Sequence, residues 1–182
     1  MNHSFYSPEE LNQIGLGSYG EHVLISRKAS FYSPGEIHLG NHVRIDDFCI
    51  LSGKIKLGSY IHISAYVGLY GAFGIEIGDY ATISGQVMVY SQNDDYSGDY
   101  FTNPMVPESL TNVTGGPVVI GKYAIVGAGT IVLPELTIGE GTAIGAMSLV
   151  KEDVDPWLIC AGIPVRIIRE RSKGLTSLKT SI

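Results

Sequence analysis

Aliphatic side chains recur at every sixth position over most of this chain. The series Ile120, Val126, Val132, Ile138, Ile144 and Val150 continues one set earlier by Leu39, Ile45, Leu51, Leu57, Ile63 and Leu69 and, after two extra residues, by Ile77, Ile83 and Val89. All fifteen of these positions are aliphatic. Four residues beyond each, a second series is apolar or small: Val43, Cys49, Ile55, Ile61, Val67, Phe73, Ala81, Val87, Ala124, Thr130, Leu136, Thr142 and Ser148, with Asn93 as the exception. A helix needs apolar spacings of three and four, and a hairpin strand alternates without a six-residue punctuation. The pattern instead predicts a short strand with two inward positions and then a turn, often marked by Gly or Asp directly after the aliphatic residue, as at Gly40, Asp46, Gly58, Gly78, Gly121 and Gly139. Three such sides close a triangular coil of about 18 residues, and stacked coils pair in parallel ladders about 4.8 Å apart.

Two segments depart from the repeat. Ser7-Pro8-Glu9-Glu10 has an N-cap, a proline at the first helical position and a glutamate at the third, so a short helix is expected to flank the first coil. Residues 95 to 119, rich in aromatic residues, prolines and glycines, break the register as a long loop, and an excursion of that length from a strict solenoid points to function. The expected organisation is an N-terminal helix and lead-in over 1–34, an all-β helix of about five coils over 35–155 carrying the 95–119 loop, and a C-terminal tail with a helix over 156–182.

The coil arithmetic also locates a groove. Two places after the aliphatic residue of the middle side, the stacked column reads Asp47, Ala65, Gly85, Ala128, Ala146, whereas the matching column of the first side is Asn41, Ser59, Asp79, Lys122, Glu140. One corner is thus stripped of side chains, and backbone N–H and C=O groups exposed there would suit a long thin ligand such as a pantetheine arm. Gly and Ala also suit tight turns, so the composition of the column alone does not decide its role.

Composition narrows the class. At 182 residues, 45% hydrophobic and 16% charged, the chain fits one globular domain. Tyr123 to Pro134, the longest uncharged run of the most apolar region, falls well short of the ~20 residues of a membrane span, and the segment MNHSFYSPEE has no basic-then-apolar leader pattern, so a cytoplasmic location is expected. Cys49 and Cys160 have no metal-type spacing and read as core thiols. A net charge of −6 argues against nucleic acid. From Gly162 onward, however, Arg166, Arg169, Arg171, Lys173 and Lys179 face a single acid, Glu170.

Segments such as I-G-K-Y-A-I, V-G-A-G-T-I and I-G-E-G-T-A, followed by A-G-I-P-V-R-I-I-R, resemble the hexapeptide-repeat acyltransferases over roughly residues 35 to 171. Within that family the likeness is to the galactoside and maltose acetyltransferase branch and to enzymes of surface-polysaccharide and lipopolysaccharide O-antigen biosynthesis. The resemblance implies a left-handed coil, which the period alone does not, since parallel crossovers are normally right-handed. It further implies acetyl-coenzyme A as co-substrate without a metal, a homotrimer, and a sugar or nucleotide-linked amino sugar as acceptor. The backbone at Ala128 and Ala146, with Gly127 and Gly145 beside them, would line the coenzyme channel. The Ala128 amide would face the thioester oxyanion, Arg166 and Arg169 would reach the phosphates, and Gly162 and Pro164 would lie near the adenine. Arg171, Lys173 and Lys179 match no family position and read as ordinary surface cations.

Galactoside-type enzymes carry a histidine at the loop entrance as general base. Here Asp94 stands at that place, within Tyr90-Ser91-Gln92-Asn93-Asp94-Asp95-Tyr96, and residues 95 to 119 contain no histidine. An amine acceptor, partly free base near neutrality, tolerates that loss, whereas a sugar hydroxyl needs a base. The favoured reading is N-acetylation assisted by Asp94, with Asn93, Asp95 and Tyr96 as acceptor contacts. The alternative is O-acetylation with His62, outward-facing beside Ile63, as base. Zinc-dependent carbonic anhydrases and non-catalytic binding or scaffold solenoids share the six-residue period. His22, His38, His42 and His62 do not match the anhydrase arrangement, and a scaffold leaves the stripped corner, the loop and the arginine pair unexplained.

Overall fold

A computed structural model describes residues 4–181, with side chains through residue 178. The chain winds as a left-handed triangular β-helix, and parallel strands stack on three sides. The fifteen aliphatic positions all point inward and are buried, forming one continuous core with their companions four residues on. Phe73 departs from that second series. The two extra residues before Ile77 make a bulge at the third corner, Ile55 pairs with Ile75 across a register shift, and Ile75 takes the inward place while Phe73 is left 45% exposed.

The second side is an eight-stranded sheet whose strands run parallel from Leu24–Ile25 to Leu158–Ala161. Its last member, Arg166–Glu170, turns back antiparallel on Leu158–Ala161. Coiling begins before residue 35: Leu24–Ile25 pairs with Val43–Ile45, and Ser30–Tyr32 pairs with Ile50–Leu57. Two additional residues between Phe31 and Leu39 hide this first coil from a strict count of six. The tail also differs from expectation. Arg166 and Arg169 lie on an exposed strand, and the helical part is a 3₁₀ segment over Gly174–Ser181. The strand forms because the open edge of Leu158–Ala161 offers unpaired backbone groups that a following segment can satisfy.

Sharp corners require left-handed backbone, and here non-glycine residues supply it. At the first corner His22, His42, Tyr60, Tyr80 and Tyr123 all have φ between 54° and 61°. Their rings stack in succession with centroids 4.6 to 5.3 Å apart. Stacked aromatic faces offset the strain of each αL residue. Gly141 omits one step of this ladder, and Trp157 from the next coil occupies the gap, 2.5 Å from where a Cβ of Gly141 would stand. The flanking helix, Pro8–Ile14, has the anticipated Ser7–Glu10 capping box, and Glu10 also receives both terminal nitrogens of Arg27 at 2.7 and 2.5 Å.

Candidate active site

The two corner columns differ in one physical respect. At the first corner the polar side chains of three successive coils each accept a hydrogen bond from the backbone amide one coil below: Asn41 Oδ1 from Glu21 N at 2.8 Å, Ser59 Oγ from Asn41 N at 3.1 Å, and Asp79 Oδ1 from Ser59 N at 2.9 Å. The second corner has no acceptor to offer at Ala65, Gly85, Ala128 and Ala146. Among the described residues nothing accepts from their amides. The carbonyls of the same column are engaged along the stack, Gly85 O by Gly129 N at 3.0 Å and Ala128 O by Met147 N at 2.8 Å. The strip thus presents a row of outward N–H donors but not the free C=O groups anticipated with them. Such a row in a groove complements carbonyl oxygens and developing oxyanions.

Gly127 and Gly145 are glycine for a stacking reason. A Cβ at Gly127 would sit 2.5 Å from Ala146 N, and one at Gly145 would sit 2.8 Å from the Ala161 Cβ. The column thus runs on toward the tail, where Gly162 has φ 113° and the Ile163–Pro164 peptide is cis. Arg166 pairs in register with Ala161 at the end of this corner, and Arg169 lies opposite Ile159, both exposed. Arg171 is more than a surface cation. Its Nη1 donates to Tyr123 O and Gly141 O, both at 2.9 Å, and its amide donates to Trp157 O, pinning the tail to the first corner. Lys173 Nζ stands 5.6 Å from the Trp157 ring centroid, and Lys179 lies outside the residues described with side chains.

The loop leaves and re-enters at the third corner through a two-stranded neck in which Gln92 pairs with Gly115 and Asn93 with Thr114. Buried Ser91 anchors it, donating to Tyr70 O and accepting from Phe73 N, each at 2.9 Å. Asp94 is exposed, has no hydrogen-bond or ion-pair partner among the described residues, and lines a cavity of about 410 Å³ with Asn103, Glu108 and Thr111. Asp95 is committed to the loop: it accepts from Ser97 N, Ser97 Oγ, Gly98 N and Asn112 Nδ2, and the Ser97 hydroxyl above all lowers its pKa. Tyr96 is 92% exposed. Within one chain no hydrogen bond or ion pair among the described residues joins this loop to the stripped corner.

His62 stands apart, on the outer face of the second side, with Nε2 2.7 Å from Asp46 Oδ2. Burial alone would raise the Asp46 carboxyl, but hydrogen bonds from His62 and Arg44 outweigh it and leave it below the usual value. Cys49 is a core thiol pushed up to about 11 by burial.

Over 174 residues the chain is 49% identical to the dTDP-4-amino-4,6-dideoxy-D-glucose acyltransferase of Escherichia coli, covering 94% of this chain and 91% of that protein. The chain belongs to the hexapeptide-repeat sugar acyltransferases. It is an acyl-coenzyme A-dependent acyltransferase. A second relative, AntD, an N-acyltransferase from Bacillus cereus, is 50% identical in a crystal structure with dTDP-4-amino-4,6-dideoxyglucose and coenzyme A, with a TM-score of 0.96 over 100% of this chain and 97% of that one. Another AntD structure holds dTDP and 3-hydroxybutyryl-CoA. The galactoside O-acetyltransferase of Escherichia coli is 33% identical over 62% of this chain and 55% of its own length. No family model matches the chain. Structures of AntD include forms with one serine replaced by alanine, cysteine or threonine and one aspartate replaced by asparagine or alanine. Ser84, directly before Gly85 at the stripped corner, carries no periodic or compositional signal that separates it from other turn residues.

Proposed function

We propose that this enzyme transfers an acyl group from coenzyme A to the 4-amino group of dTDP-4-amino-4,6-dideoxyglucose, in the cytoplasm, supplying an N-acylated sugar for surface polysaccharide. Near full-length similarity to one protein named for that acceptor and to an N-acyltransferase crystallised with it carries the reading, together with an unpartnered carboxylate at the loop entrance where the galactoside branch has a histidine. Asp94 and Ser84 are the residues we match to the aspartate and serine replaced in AntD.

The acceptor ammonium docks against Asp94 and loses a proton to it. The free amine attacks the thioester carbonyl, whose oxygen becomes an oxyanion facing the Ala128 amide. Collapse expels the coenzyme A thiolate as the nitrogen gives up its second proton to leave the neutral amide; the thiolate takes up one of the two protons and the other leaves through Asp94 to solvent. Gly127, Ala128, Gly145 and Ala146 line the pantetheine lane, Gly162 and Pro164 border the adenine, and Arg166 and Arg169 meet the phosphates. Ser84, Asn93 and Tyr96 lie to hand for the acceptor, while Asp95 serves the loop that holds Asp94.

The active unit is a homotrimer in this reading. The donor lane follows the second corner and Asp94 projects from the third, so a complete site needs the loop of one copy laid over the stripped corner of another. The face that would separate copies is suitably apolar: Ile131 and Leu149 lie outward on the third side, and Leu24 and Ile125 lie outward on the second. Thiol release from acetyl- or 3-hydroxybutyryl-CoA, measured with the dTDP-amino sugar and with neutral glycosides, tests the function. Faster turnover of the glycosides would overturn it.

A further inference from the structure

Most of the core is aliphatic, but near its C-terminal end two buried hydroxyls lie together. In the inward column that holds Val67 and Val87 lower down, the last two coils carry Thr130 and Ser148, both buried. Fully buried hydroxyls are unfavourable unless bonded, and these two converge on one atom. Thr130 Oγ1 donates to the Gly145 carbonyl at 3.2 Å, and Ser148 Oγ donates to it at 2.7 Å. Thr130 Oγ1 in turn accepts from Ser148 N at 3.4 Å, and Ser148 Oγ accepts from Gly162 N at 3.1 Å.

The equivalent turn one coil earlier needs no such help. There Thr130 N donates to Gly127 O at 3.3 Å and the backbone closes the turn by itself. At Gly145 the corresponding amide, Ser148 N, is spent on Thr130 Oγ1, and the carbonyl is held by side chains. The turn also contains Met147 at φ 54°, a conformation disfavoured for a residue with a Cβ. A trans peptide is planar, with C=O and N–H on opposite edges. Drawing the Gly145 carbonyl into the core therefore aims the Ala146 N–H outward, into the stripped corner. Through Gly162, the same hydroxyl of Ser148 ties this turn to the segment leading to Pro164 and Arg166.

We propose that Thr130 and Ser148 are positioning residues for acyl-coenzyme A, two buried hydroxyls that fix the Gly145–Ala146 peptide with its N–H toward the pantetheine arm and lock the tail turn at Gly162 to it. The inference rests on the proposed donor lane at the second corner. Thr142, a third buried hydroxyl nearby, donates to Asp155 O at 2.8 Å and serves as the comparison, since it touches neither Gly145 nor Gly162.

The test is calorimetric binding of coenzyme A, with steady-state kinetics, to Ser148→Ala, Thr130→Val, their double variant, Thr142→Val and Ala146→Phe, all below their melting temperatures. The double variant should bind coenzyme A about 10-fold more weakly, the equivalent of one hydrogen bond of ~1.4 kcal/mol. Its KM for acyl-coenzyme A should rise while that for the acceptor holds, and Ser148→Thr should retain wild-type binding. Ser148→Cys, close in size with a weak donor, replaces Ser148→Ala if the latter does not fold. Unchanged binding in the double variant, or equal weakening in Thr142→Val, overturns the positioning role. Undiminished binding by Ala146→Phe removes the donor lane itself, and with it this proposal.

Discussion

Giving Ala146 the kind of side chain found at the first corner should make the protein more stable and less active. Ala146→Asn places an amide oxygen where Asn41, Ser59 and Asp79 carry theirs one corner away, each accepting the amide one coil below at 2.8 to 3.1 Å. At the second corner that amide is Ala128 N–H, now without an acceptor. Satisfying it adds one intramolecular hydrogen bond, a net gain of about 0.5–1.5 kcal/mol. The same bond removes the donor assigned to the thioester oxyanion, and loss of one such donor costs roughly 10²–10³ in kcat. Bulk in the lane is controlled by Ala146→Leu, which matches Asn in shape and offers no acceptor. The measurements are thermal melting and kcat at saturating acyl-coenzyme A. If Asn and Leu lower kcat equally, or if Asn leaves it within a few-fold of wild type, the Ala128 amide is not the oxyanion donor.

Three further outcomes follow from the same geometry. Asp94→Asn should lower turnover by ~100-fold or more with coenzyme binding little changed, the usual scale for a general acid or base, whereas His62→Ala should be mild; the reverse ranking in steady-state assays would favour a hydroxyl acceptor. Sedimentation should find the active species as a trimer, and a fully active monomer would refute shared sites. Glu10, held at about 2 chiefly by Arg27, has a folded value below its ordinary 4.5, so the docking of the N-terminal helix is at full strength above 4.5 and weakens as pH falls toward 2; Glu10→Gln should remove this pH dependence of proteolysis near the helix.

The repeat was legible in the sequence because burial is local in a solenoid: each coil repeats one inward geometry, so a six-residue period of Leu, Ile and Val reports the core directly. The capping box at Ser7 and Glu10 was legible because a helix terminus is satisfied by neighbours in sequence. The stripped corner was legible as a column of small residues, but its meaning was not. Only the stacked structure reveals that Asn41, Ser59 and Asp79 cap amides below them while Ala128 and Ala146 leave theirs open, because the partners are a coil apart. Tertiary structure likewise decided that Asp94 is free and Asp95 is consumed, since turn hydrogen bonding separates two adjacent carboxylates that sequence treats alike. It turned the tail beyond Gly162 back as a strand on the exposed edge of Leu158–Ala161, a choice set by unpaired backbone rather than by propensity. It also gave Thr130 and Ser148, small residues at core positions in the sequence, a common acceptor at Gly145 O, because their hydroxyls meet only when the last two coils are stacked.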